Sequence, residues 1–596
     1  MKYIYTLKNK DNYILGINGL GILPSACLLK NNEIVAMAEE ERFTRYKGST
    51  GMMPGNAVKY CLNEANISID DLDTIAFGWD ANYYPLKMSL FLMKKALSQI
   101  TNKNNKSSIV RALNELVKYH PKQVEYKIKE MFREHGIVGK IPKVEFINHH
   151  LSHALSTYYP SGFKKAHILV IDGSGEITST SIWKANNGVI EKISSISIPN
   201  SLGWFYQSIT EYLGFKPNNH EGKTMGLASY GKKNELISKK FDKIISFDKL
   251  GHYQFNSKYS FTGNLTNGNV YSQELEALLG LARKKDEVIS QLHKDIAYAA
   301  QSKLEDTVIN LVENKILMDP DFNGNLCLAG GVSLNCKLNG KLALLKDVEK
   351  IYIPPFSSDN GTAYGAAISS EINKKIAKLN TNIINDFNPY LGPSFSDEYI
   401  ENKLKELNIK YFKEEDIAKK TAEFLMSNKI VGWFQGRMEV GSRALGNRSI
   451  LANPMFLENK EIVNKKVKNR ELWRPFAVSI LYEKRAEYFE TDIDSPYMTI
   501  ALSVKKEGLK KIPAGVHVDN TTRPQLVKKE NNKKYYSLIN YFGDLTGTYA
   551  LLNTSFNDKD EPVVCTPEQA VRTFFSTNLD VLVMGNFYLL KSNKVA

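Results

Sequence analysis

The hydrophobic pattern of the first half of the chain occurs twice. Each copy is an apolar run followed by two alternating segments around an asparagine-containing turn. These segments lie at residues 13–20, 25–30 and 33–39, and again at 166–172, 178–185 and 189–198. Each copy predicts a buried strand, a loop and a β-hairpin, the second loop being the glycine stretch 173–175. Helical patterns follow at 56–65 and 202–213.

A strand, a glycine loop and a hairpin that occur twice resemble the way in which the actin, hexokinase and acetate-kinase superfamily is built. Proteins of that superfamily hold a nucleotide between the two halves. The pattern therefore predicts an α/β fold whose N-terminal part is a duplicated actin/hexokinase-like (ASKHA) domain with a nucleotide cleft.

The pattern changes after residue 372. Lysine, asparagine and proline residues interrupt it over 372–396, which we interpret as the connection between domains. A helix and a strand predicted within 417–435 then begin a second α/β block. We expect one domain at 1–385, with a helical insertion at about 81–143, and a second domain at 386–596.

Composition narrows the class of protein. The chain has 596 residues, 43% hydrophobic, and its apolar runs are too short to span a membrane. The polar N-terminus does not read as a signal peptide, so we expect a cytoplasmic protein. Its five cysteines are scattered and form no Cys-x-x-Cys motif. Much of the net charge of +14 lies between residues 87 and 143, in helical spacing without the aromatic interleaving that nucleic-acid stacking surfaces use, which favours a solvated helical face over a nucleic-acid surface.

Three histidines fall within five positions, at His149, His150 and His153. On a helix, His149 and His153 are four apart and share one face, a spacing that suits a single metal ion. Asp172 and Asp359 are the candidate carboxylate ligands. His150 occupies the position where a zinc protease has its glutamate, which excludes that class. A packed or solvated pair of histidines is the alternative interpretation of the spacing.

Glycine-rich segments at 328–335 and 359–367 favour close approach of backbone amides to a phosphate. Neither segment matches a P-loop or a dinucleotide fingerprint.

Basic residues in glycine-rich, apolar surroundings characterise the second half. They are Arg443, Arg448, Lys468, Arg470, Arg474 and Arg523. Cations in such sequence need an anionic partner, so the set predicts an oxyanion pocket. Internal ion pairs with Glu439 or Glu471 are the alternative.

Ordered motifs over nearly the whole length resemble the carbamoyltransferase family that modifies antibiotics, toxins and nodulation factors. The matching segments are Glu39-Glu-Glu-Arg-Phe-Thr-Arg45, His149-His-Leu-Ser-His-Ala154, Val170-Ile-Asp-Gly173, Glu221-Gly-Lys-Thr-Met-Gly-Leu-Ala228, Ala329-Gly-Gly-Val332, residues 436–449, Trp473-Arg-Pro-Phe476 and Asn553-Thr-Ser-Phe-Asn557. The resemblance implies a YrdC-like C-terminal domain that makes carbamoyl adenylate from carbamoyl phosphate and ATP. It also implies an N-terminal domain, similar to the threonylcarbamoyl-transferring protein of tRNA modification, that passes the carbamoyl group to a small-molecule acceptor.

The resemblance also implies roles for individual residues. His149, His153, Asp172 and Asp359 would hold an iron-like divalent ion, and Mg²⁺ would accompany ATP. The residues implied to bind carbamoyl phosphate and ATP are Arg443, Lys468, Arg474, Arg523, Ser555 and Asn557, the first three of them in catalytic roles. Those implied for the nucleotide in the first half are Gly173, Lys223, Gly330, Gly331 and Asn335. A homodimer is possible within this interpretation.

One departure from the family concerns the acceptor. Members carry a His-Asp pair in the loop after the first strand, where this chain has Ile22-Leu23-Pro24. His220 is the candidate substitute base, and an ordinary loop histidine is the alternative. Two other functions are open at this point: a tRNA-modifying enzyme of the threonylcarbamoyl type, and a nucleotide-binding regulator that has lost hydroxyl transfer.

Overall fold

The computed structural model describes residues 11–90, 113–114, 116–262, 264, 266, 269–374 and 387–591. Two sheets of the first half have the same topology. The strands of this half are β1 (Tyr13–Asn18), β2 (Ser25–Lys30), β3 (Glu33–Glu39), β4 (Thr74–Phe77), β5 (Lys143–Phe146), β6 (Lys165–Gly175), β7 (Thr178–Asn186), β8 (Val189–Ser197), β9 (Ile245–Phe247), β10 (Tyr253–Phe255), β11 (Asn325–Ala329) and β12 (Lys350–Tyr352). Strands β9 and β10 form a separate two-stranded ribbon.

The first sheet has the order β3-β2-β1-β4-β5, and the second has the order β12-β11-β6-β7-β8. In each, an antiparallel hairpin flanks the first strand on one side and two parallel strands flank it on the other. This equivalence confirms the predicted duplicated actin/hexokinase-like fold. The predicted loop at 173–175 is wrong, because β6 continues to Gly175 with a shift of register after Ile171.

The second half contains one mixed eight-stranded sheet, of order β13-β22-β21-β14-β15-β20-β16-β19, and a two-stranded ribbon of β17 and β18. Its strands are β13 (Phe412–Lys413), β14 (Val431–Phe434), β15 (Arg448–Ala452), β16 (Ala477–Leu481), β17 (Leu502–Ser503), β18 (Thr521–Thr522), β19 (Pro524–Val527), β20 (Ala550–Ser555), β21 (Val581–Met584) and β22 (Phe587–Leu590). The α/β class of this half is confirmed, in keeping with the YrdC-like expectation.

Helices cover the sheets. They are α1 (Glu41–Thr44), α2 (Gly55–Glu64), α3 (Pro121–Glu134), α4 (His149–Tyr158), α5 (Leu202–Tyr212), α6 (Glu221–Ala228), α7 (Glu235–Asp242), α8 (Gln273–Leu279), α9 (Gln291–Val312), α10 (Cys336–Leu342), α11 (Thr362–Lys374), α12 (Asp397–Glu406), α13 (Ile417–Met426), α14 (Glu458–Ile462), α15 (Lys506–Lys511), α16 (Lys533–Thr546) and α17 (Pro567–Ser576). In the described ranges, every helix is too short or too polar to cross a bilayer.

The domain boundary at 385/386 falls outside the described residues and stays a prediction, as do the limits of the insertion at about 81–143. Buried apolar residues nevertheless continue across the sheets. One cluster joins Leu169 of β6 to Ile480 of β16, and another joins Ile14 of β1 to Ile168 of β6. The two halves therefore share core packing.

Helices α4 and α11 pack with almost no side-chain volume between them. A Cβ atom on Gly365 would lie 1.8 Å from the carbonyl oxygen of Ser152 in α4. On the other side, a Cβ atom on Gly16 of β1 would lie 1.8 Å from the carbonyl oxygen of Ala363 in α11. Glycine at both positions lets α11 lie directly against β1 and α4.

We expect Gly365→Ala to lower the stability of the protein by about 1–3 kcal/mol or more, because the added methyl group overpacks this contact. Gly222→Ala is the matched control, since a Cβ atom at this helical glycine would contact nothing within 4 Å. Thermal unfolding followed by circular dichroism measures both variants. Equal unfolding temperatures for the two would show that the α4 to α11 contact is not tight.

Candidate active site

Four buried side chains of the first half converge on one point. The ligand atoms of His149, His153, Asp172 and Asp359 all lie within 4.8 Å of one another. The Nε2 atoms of the two histidines are 3.2 Å apart. Nε2 of His149 is 3.6 Å from Oδ2 of Asp172, and Nε2 of His153 is 3.6 Å from Oδ1 of Asp359.

Separate elements position these ligands. Helix α4 carries both histidines on one face, and Asn148 caps its first turn by accepting the Leu151 N–H at 3.0 Å. Asp172 lies in the bulged end of β6, and Asp359 begins the single 3₁₀ turn that leads into α11. The sequence separation of these elements explains why spacing alone could not identify the carboxylates.

Hydrogen bonds around the cluster orient the ligands. Nδ1 of His149 lies 2.9 Å from the Gly78 carbonyl oxygen, which leaves Nε2 to face the cluster. Oδ1 of Asp172 accepts the Gly331 N–H at 3.0 Å. Glu176, which the sequence argument missed, accepts the His149 backbone N–H at 3.0 Å and the Asn148 amide at 2.7 Å. Burial raises the pKa of Glu176 to about 7.

The charges of the cluster fit a cation. Burial acts to lower the pKa of His149, but Asp172 and Asp359 outweigh it and raise that pKa to about 9. Oδ1 of Asp359 is buried without a hydrogen-bond partner in the described part of the chain. Donor atoms about 2.1 Å from one ion in a tetrahedral arrangement lie about 3.4 Å apart, which matches the separations here. Two imidazoles and two carboxylates suit iron, zinc or a similar divalent ion.

His150, the third histidine, lies outside this cluster. Its Nδ1 atom is 2.8 Å from the Ser181 hydroxyl, and burial holds its pKa well below the ordinary value. The helix therefore directs two of the three histidines to the ligand site.

The glycines predicted for the nucleotide lie beside Asp172. Gly330 has a φ of +88°, and a Cβ atom there would lie 2.3 Å from the Ile171 carbonyl oxygen. A Cβ atom on Gly331 would lie 3.0 Å from the Asp172 carboxylate, and one on Gly173 would contact the Trp204 ring at 3.5 Å. Gly330 and Gly331 therefore pack closely against the end of β6, beside the ligand Asp172.

Asn335 does not present its side chain to this space. Its Oδ1 atom accepts the Leu338 N–H and the Gln301 amide, both at 3.0 Å, and its Nδ2 atom donates to Gln301 Oε1 at 2.9 Å. The side chain therefore caps α10, and the prediction that it binds nucleotide is not supported by its contacts.

The second half brings Arg443, Arg474, Arg523 and Lys468 together. Burial lowers the pKa of Arg443 to about 9, and the charges of Arg523 and Arg474 add to that effect. The Nε atoms of Arg443 and Arg523 are buried and have no hydrogen-bond partner among the described residues. Guanidinium groups that repel one another and lack acceptors form a site for an anion.

Lys468 is held by the residues that were predicted to bind substrate with it. Its ammonium donates to the carbonyl oxygens of Ser555 and Asn557, both at 2.8 Å, and to Asn557 Oδ1 at 2.5 Å. Burial, with Arg470, Lys47 and Arg474 nearby, holds its pKa well below the ordinary value. Ser555 and Asn557 thus position Lys468.

Two other arginines of the predicted pocket make internal contacts. Arg448 is fully buried in β15, where it donates to the carbonyl oxygens of Gln435 and Pro393 and lies 3.7 Å from the centre of the Phe434 ring. The prediction of Arg448 in the oxyanion pocket is wrong, because backbone carbonyls accept from both Nη atoms of its guanidinium, and only Nε has no partner among the described residues. Arg470 donates through Nε to Asn464 at 2.6 Å, and its Nη2 atom is buried without a partner among the described residues.

Lys223 and His220 lie where the two halves meet. Lys223 on α6 forms an ion pair with Glu471 at 2.8 Å. Nδ1 of His220 accepts the Lys216 N–H at 3.2 Å. Burial lowers the pKa of His220 to about 4, and the charges of Lys223 and Lys47 act in the same direction. Lys47, which the sequence argument missed, belongs to the same group of charges.

A short segment connects the two centres. Gly331 donates to Asp172, and five residues later Cys336 lies near Arg443 and Arg523. The Cys336 carbonyl also accepts the Ala501 N–H of the second half at 2.9 Å. The segment 331–336 therefore contacts the metal-ligand cluster at one end and the second half at the other.

We expect His153→Ala to weaken binding of a divalent ion by at least about 100-fold, because it removes one of four ligands. Metal content by mass spectrometry and titration with Fe²⁺, Zn²⁺ or Mn²⁺ check this without an activity assay. His252→Ala is the control, since His252 is exposed and pairs with Asp248. Unchanged metal content in His153→Ala would contradict the assignment.

Two family sequence models match the chain, one in each half. A sequence model described as the carbamoyltransferase N-terminus matches residues 14–368, and one described as the carbamoyltransferase C-terminus matches residues 422–591. The chain is 37% identical to an uncharacterized protein of Synechocystis, with 97% of each chain covered. It is 32% identical to nodulation protein NolNO of Sinorhizobium fredii, over 95% of this chain and 78% of that protein.

The crystal structure of HypF from T. kodakarensis covers 63% of this chain and 49% of its own, at 13% identity and a TM-score of 0.31. A likeness so distant adds nothing to the fold established by the strand order. The sequence matches extend through both halves and include the metal-ligand cluster and the cationic cluster. The chain belongs to the carbamoyltransferase family.

Proposed function

We propose that the protein is an ATP-dependent carbamoyltransferase with two coupled half-reactions. In the second half, carbamoyl phosphate and water give carbamate and phosphate, and a carbamate oxygen attacks the α-phosphorus of ATP. Pyrophosphate leaves, and carbamoyl adenylate remains. In the first half, a hydroxyl or amine of a small-molecule acceptor attacks the carbamoyl carbon, loses its proton and releases AMP.

The observation that carries this proposal is the group of arginines without acceptors. Arg443 and Arg523 have buried Nε atoms with no partner in the described ranges, and Arg474 adds a third guanidinium close by. Carbamoyl phosphate and ATP bring phosphate charge that such groups bind through paired N–H donors. The same cations stabilise charge that develops on pyrophosphate as it leaves.

Lys468 contributes a different property. Its carbonyl contacts fix the ammonium in place, and an entering phosphate would favour the charged form that burial disfavours. Lys468 would therefore hold its positive charge beside the oxygen of the leaving group. This is our reason for keeping Lys468 in a catalytic role together with Arg443 and Arg474.

The metal-ligand cluster lies on the transfer side of the proposal. When bound by His149, His153, Asp172 and Asp359, a divalent ion supplies Lewis-acid stabilisation of charge on the phosphate of the adenylate. The glycine backbone around Gly330 and Gly331 would hold the nucleotide close to that charge. The segment from Gly331 to Cys336 would lie along the path of the adenylate between the centres.

The acceptor side carries no imidazole where the family has one. Asn18 holds this loop by donating to the carbonyl oxygens of Ile22 at 3.0 Å and Leu23 at 2.9 Å. His220 is our candidate base, a role in which its Nδ1 atom would have to exchange the Lys216 N–H for the proton of the acceptor. An amine acceptor that needs no base is the second route.

We expect the full-length protein to release pyrophosphate from ATP when carbamoyl phosphate is present and no acceptor is added. Arg523→Ala should slow this step by about 10²–10³-fold, because it removes a donor aimed at developing charge. Arg133→Ala is the control, since 77% of the Arg133 side chain is exposed in the first half. Turnover of ATP that requires threonine in place of carbamoyl phosphate would instead favour the tRNA-modifying function.

We expect His220→Ala to lower carbamoyl transfer to a hydroxyl acceptor by about 10²-fold and to leave pyrophosphate release unchanged. The lowered pKa of His220, about 4, keeps the imidazole unprotonated at neutral pH, so the acid limb of the transfer rate should lie near pH 4 and be absent in the variant. Rapid-quench assays of the two half-reactions separate the steps. Full transfer by His220→Ala would leave the amine acceptor or a water-relayed proton.

A further inference from the structure

Lys47 follows the Glu39–Arg45 motif in a segment that is bound to the second half of the chain. Arg45 donates to the carbonyl oxygens of Val563 at 2.6 Å and Pro562 at 2.7 Å. Arg42 donates to the Gly441 carbonyl oxygen at 2.8 Å. These contacts fix the backbone on the N-terminal side of Lys47 against the domain that carries the cationic cluster.

The loop that receives Arg45 also holds Lys468. Residues 555–563 follow β20, and their first part supplies the Ser555 and Asn557 carbonyl oxygens that accept from Lys468. Their last part supplies the acceptors for Arg45. Lys47, two residues beyond Arg45, therefore lies near Lys468 of the cationic cluster.

Residues of α6 and its N-terminus border Lys47 on the other side. A Cβ atom on Gly48 would lie 3.9 Å from Oδ1 of Asn219, the neighbour of His220. Lys223 on the same helix reaches Glu471 of the second half at 2.8 Å. Lys47 thus lies between α6 and the 555–563 loop, at the place where the two halves meet.

The charge of Lys47 has no dedicated counter-charge. Its nearest acid in the motif, Glu41, pairs with Arg42 at 2.9 Å and accepts the Gly48 N–H at 2.6 Å. Solvent reaches the Lys47 side chain, but the surrounding protein lowers its pKa, with Glu41 and Asp560 opposing and Arg474 and Lys223 adding to that effect. A cation that is accessible, close to other cations and without a salt-bridge partner in the described part of the chain is suited to a bound anion.

We propose that Lys47 binds phosphate in the anion site of the second half, so that substrate is held by cations from both halves of the chain. The ligand class is a phosphoanhydride or acyl phosphate, such as ATP or carbamoyl phosphate. This inference rests on the proposed function and adds one requirement to it. The adenylate-forming site is complete only when the segment after Arg45 is docked on the second half, directly beside the entrance to the transfer side.

The experiment compares full-length Lys47→Ala, Lys47→Arg and the control Lys59→Ala. Lys59 is exposed on α2 and donates to the His135 carbonyl oxygen at 3.3 Å, away from the cationic cluster. We expect Lys47→Ala to raise the KM for carbamoyl phosphate or ATP in acceptor-free pyrophosphate release by about 10- to 100-fold, the usual effect of losing a charged hydrogen bond. Lys47→Arg should recover most of this loss, and added salt should reduce the difference between variants.

Two measurements keep this inference separate from the proposed function. A wild-type protein that releases no pyrophosphate would contradict the proposed function. Calorimetric titration with inorganic pyrophosphate then tests Lys47 directly, and equal affinity in wild type and Lys47→Ala would overturn the inference. An unchanged KM with loss of acceptor transfer alone would also overturn it, because Lys47 would then serve the transfer step.

Discussion

In both centres, side chains that repel one another when charged are buried close together, and the rest of the structure depends on holding them there. The two imidazole Nε2 atoms of His149 and His153 are 3.2 Å apart, a separation that two protonated rings would not tolerate. In the second half, Arg443 and Arg523 repel each other in buried surroundings. The buried carboxylates of Asp172 and Asp359 suit a cation between the four ligands of the first centre, and the buried guanidinium groups suit an anion at the second.

Packing outside the two centres supplies the folding free energy that holds these side chains together. Helix α11 lies between β1 and α4 with glycine at both contacts, so α4 has little freedom to move its histidines apart. Glu176 secures the start of the same helix by accepting the His149 backbone N–H. Apolar clusters that run from the first half into the second hold the cationic cluster against the 330–336 segment. Preorganisation of this kind lets the side chains meet a ligand without rearrangement.

The sequence predicted the duplicated fold well because alternation and turns are local signals that survive in tertiary structure. It indicated His149 and His153 for the same reason, since four-residue spacing on a helix is local. It failed where a contact depends on distant backbone. Arg448 and Arg443 are five residues apart in one glycine-rich stretch. The Nη atoms of Arg448 donate to backbone carbonyls, whereas Arg443 has no such hydrogen bond among the described residues. Asn335 also carries a polar side chain in a glycine-rich segment, but that side chain is hydrogen-bonded to Gln301 of α9.

One carboxylate connects the two centres physically. Oε1 of Glu39 accepts the Asn360 amide at 3.0 Å and the Gly441 N–H at 2.6 Å. Asn360 follows the ligand Asp359, and Gly441 precedes Arg443 by two residues, so Glu39 joins the backbone of one centre to the backbone of the other. Any coupling of ligand binding that this bridge carries would be reciprocal, because linkage gives each ligand the same effect on the binding free energy of the other. The bridge also explains why the Glu39–Arg45 motif contacts both halves, since Glu39 accepts one hydrogen bond from each.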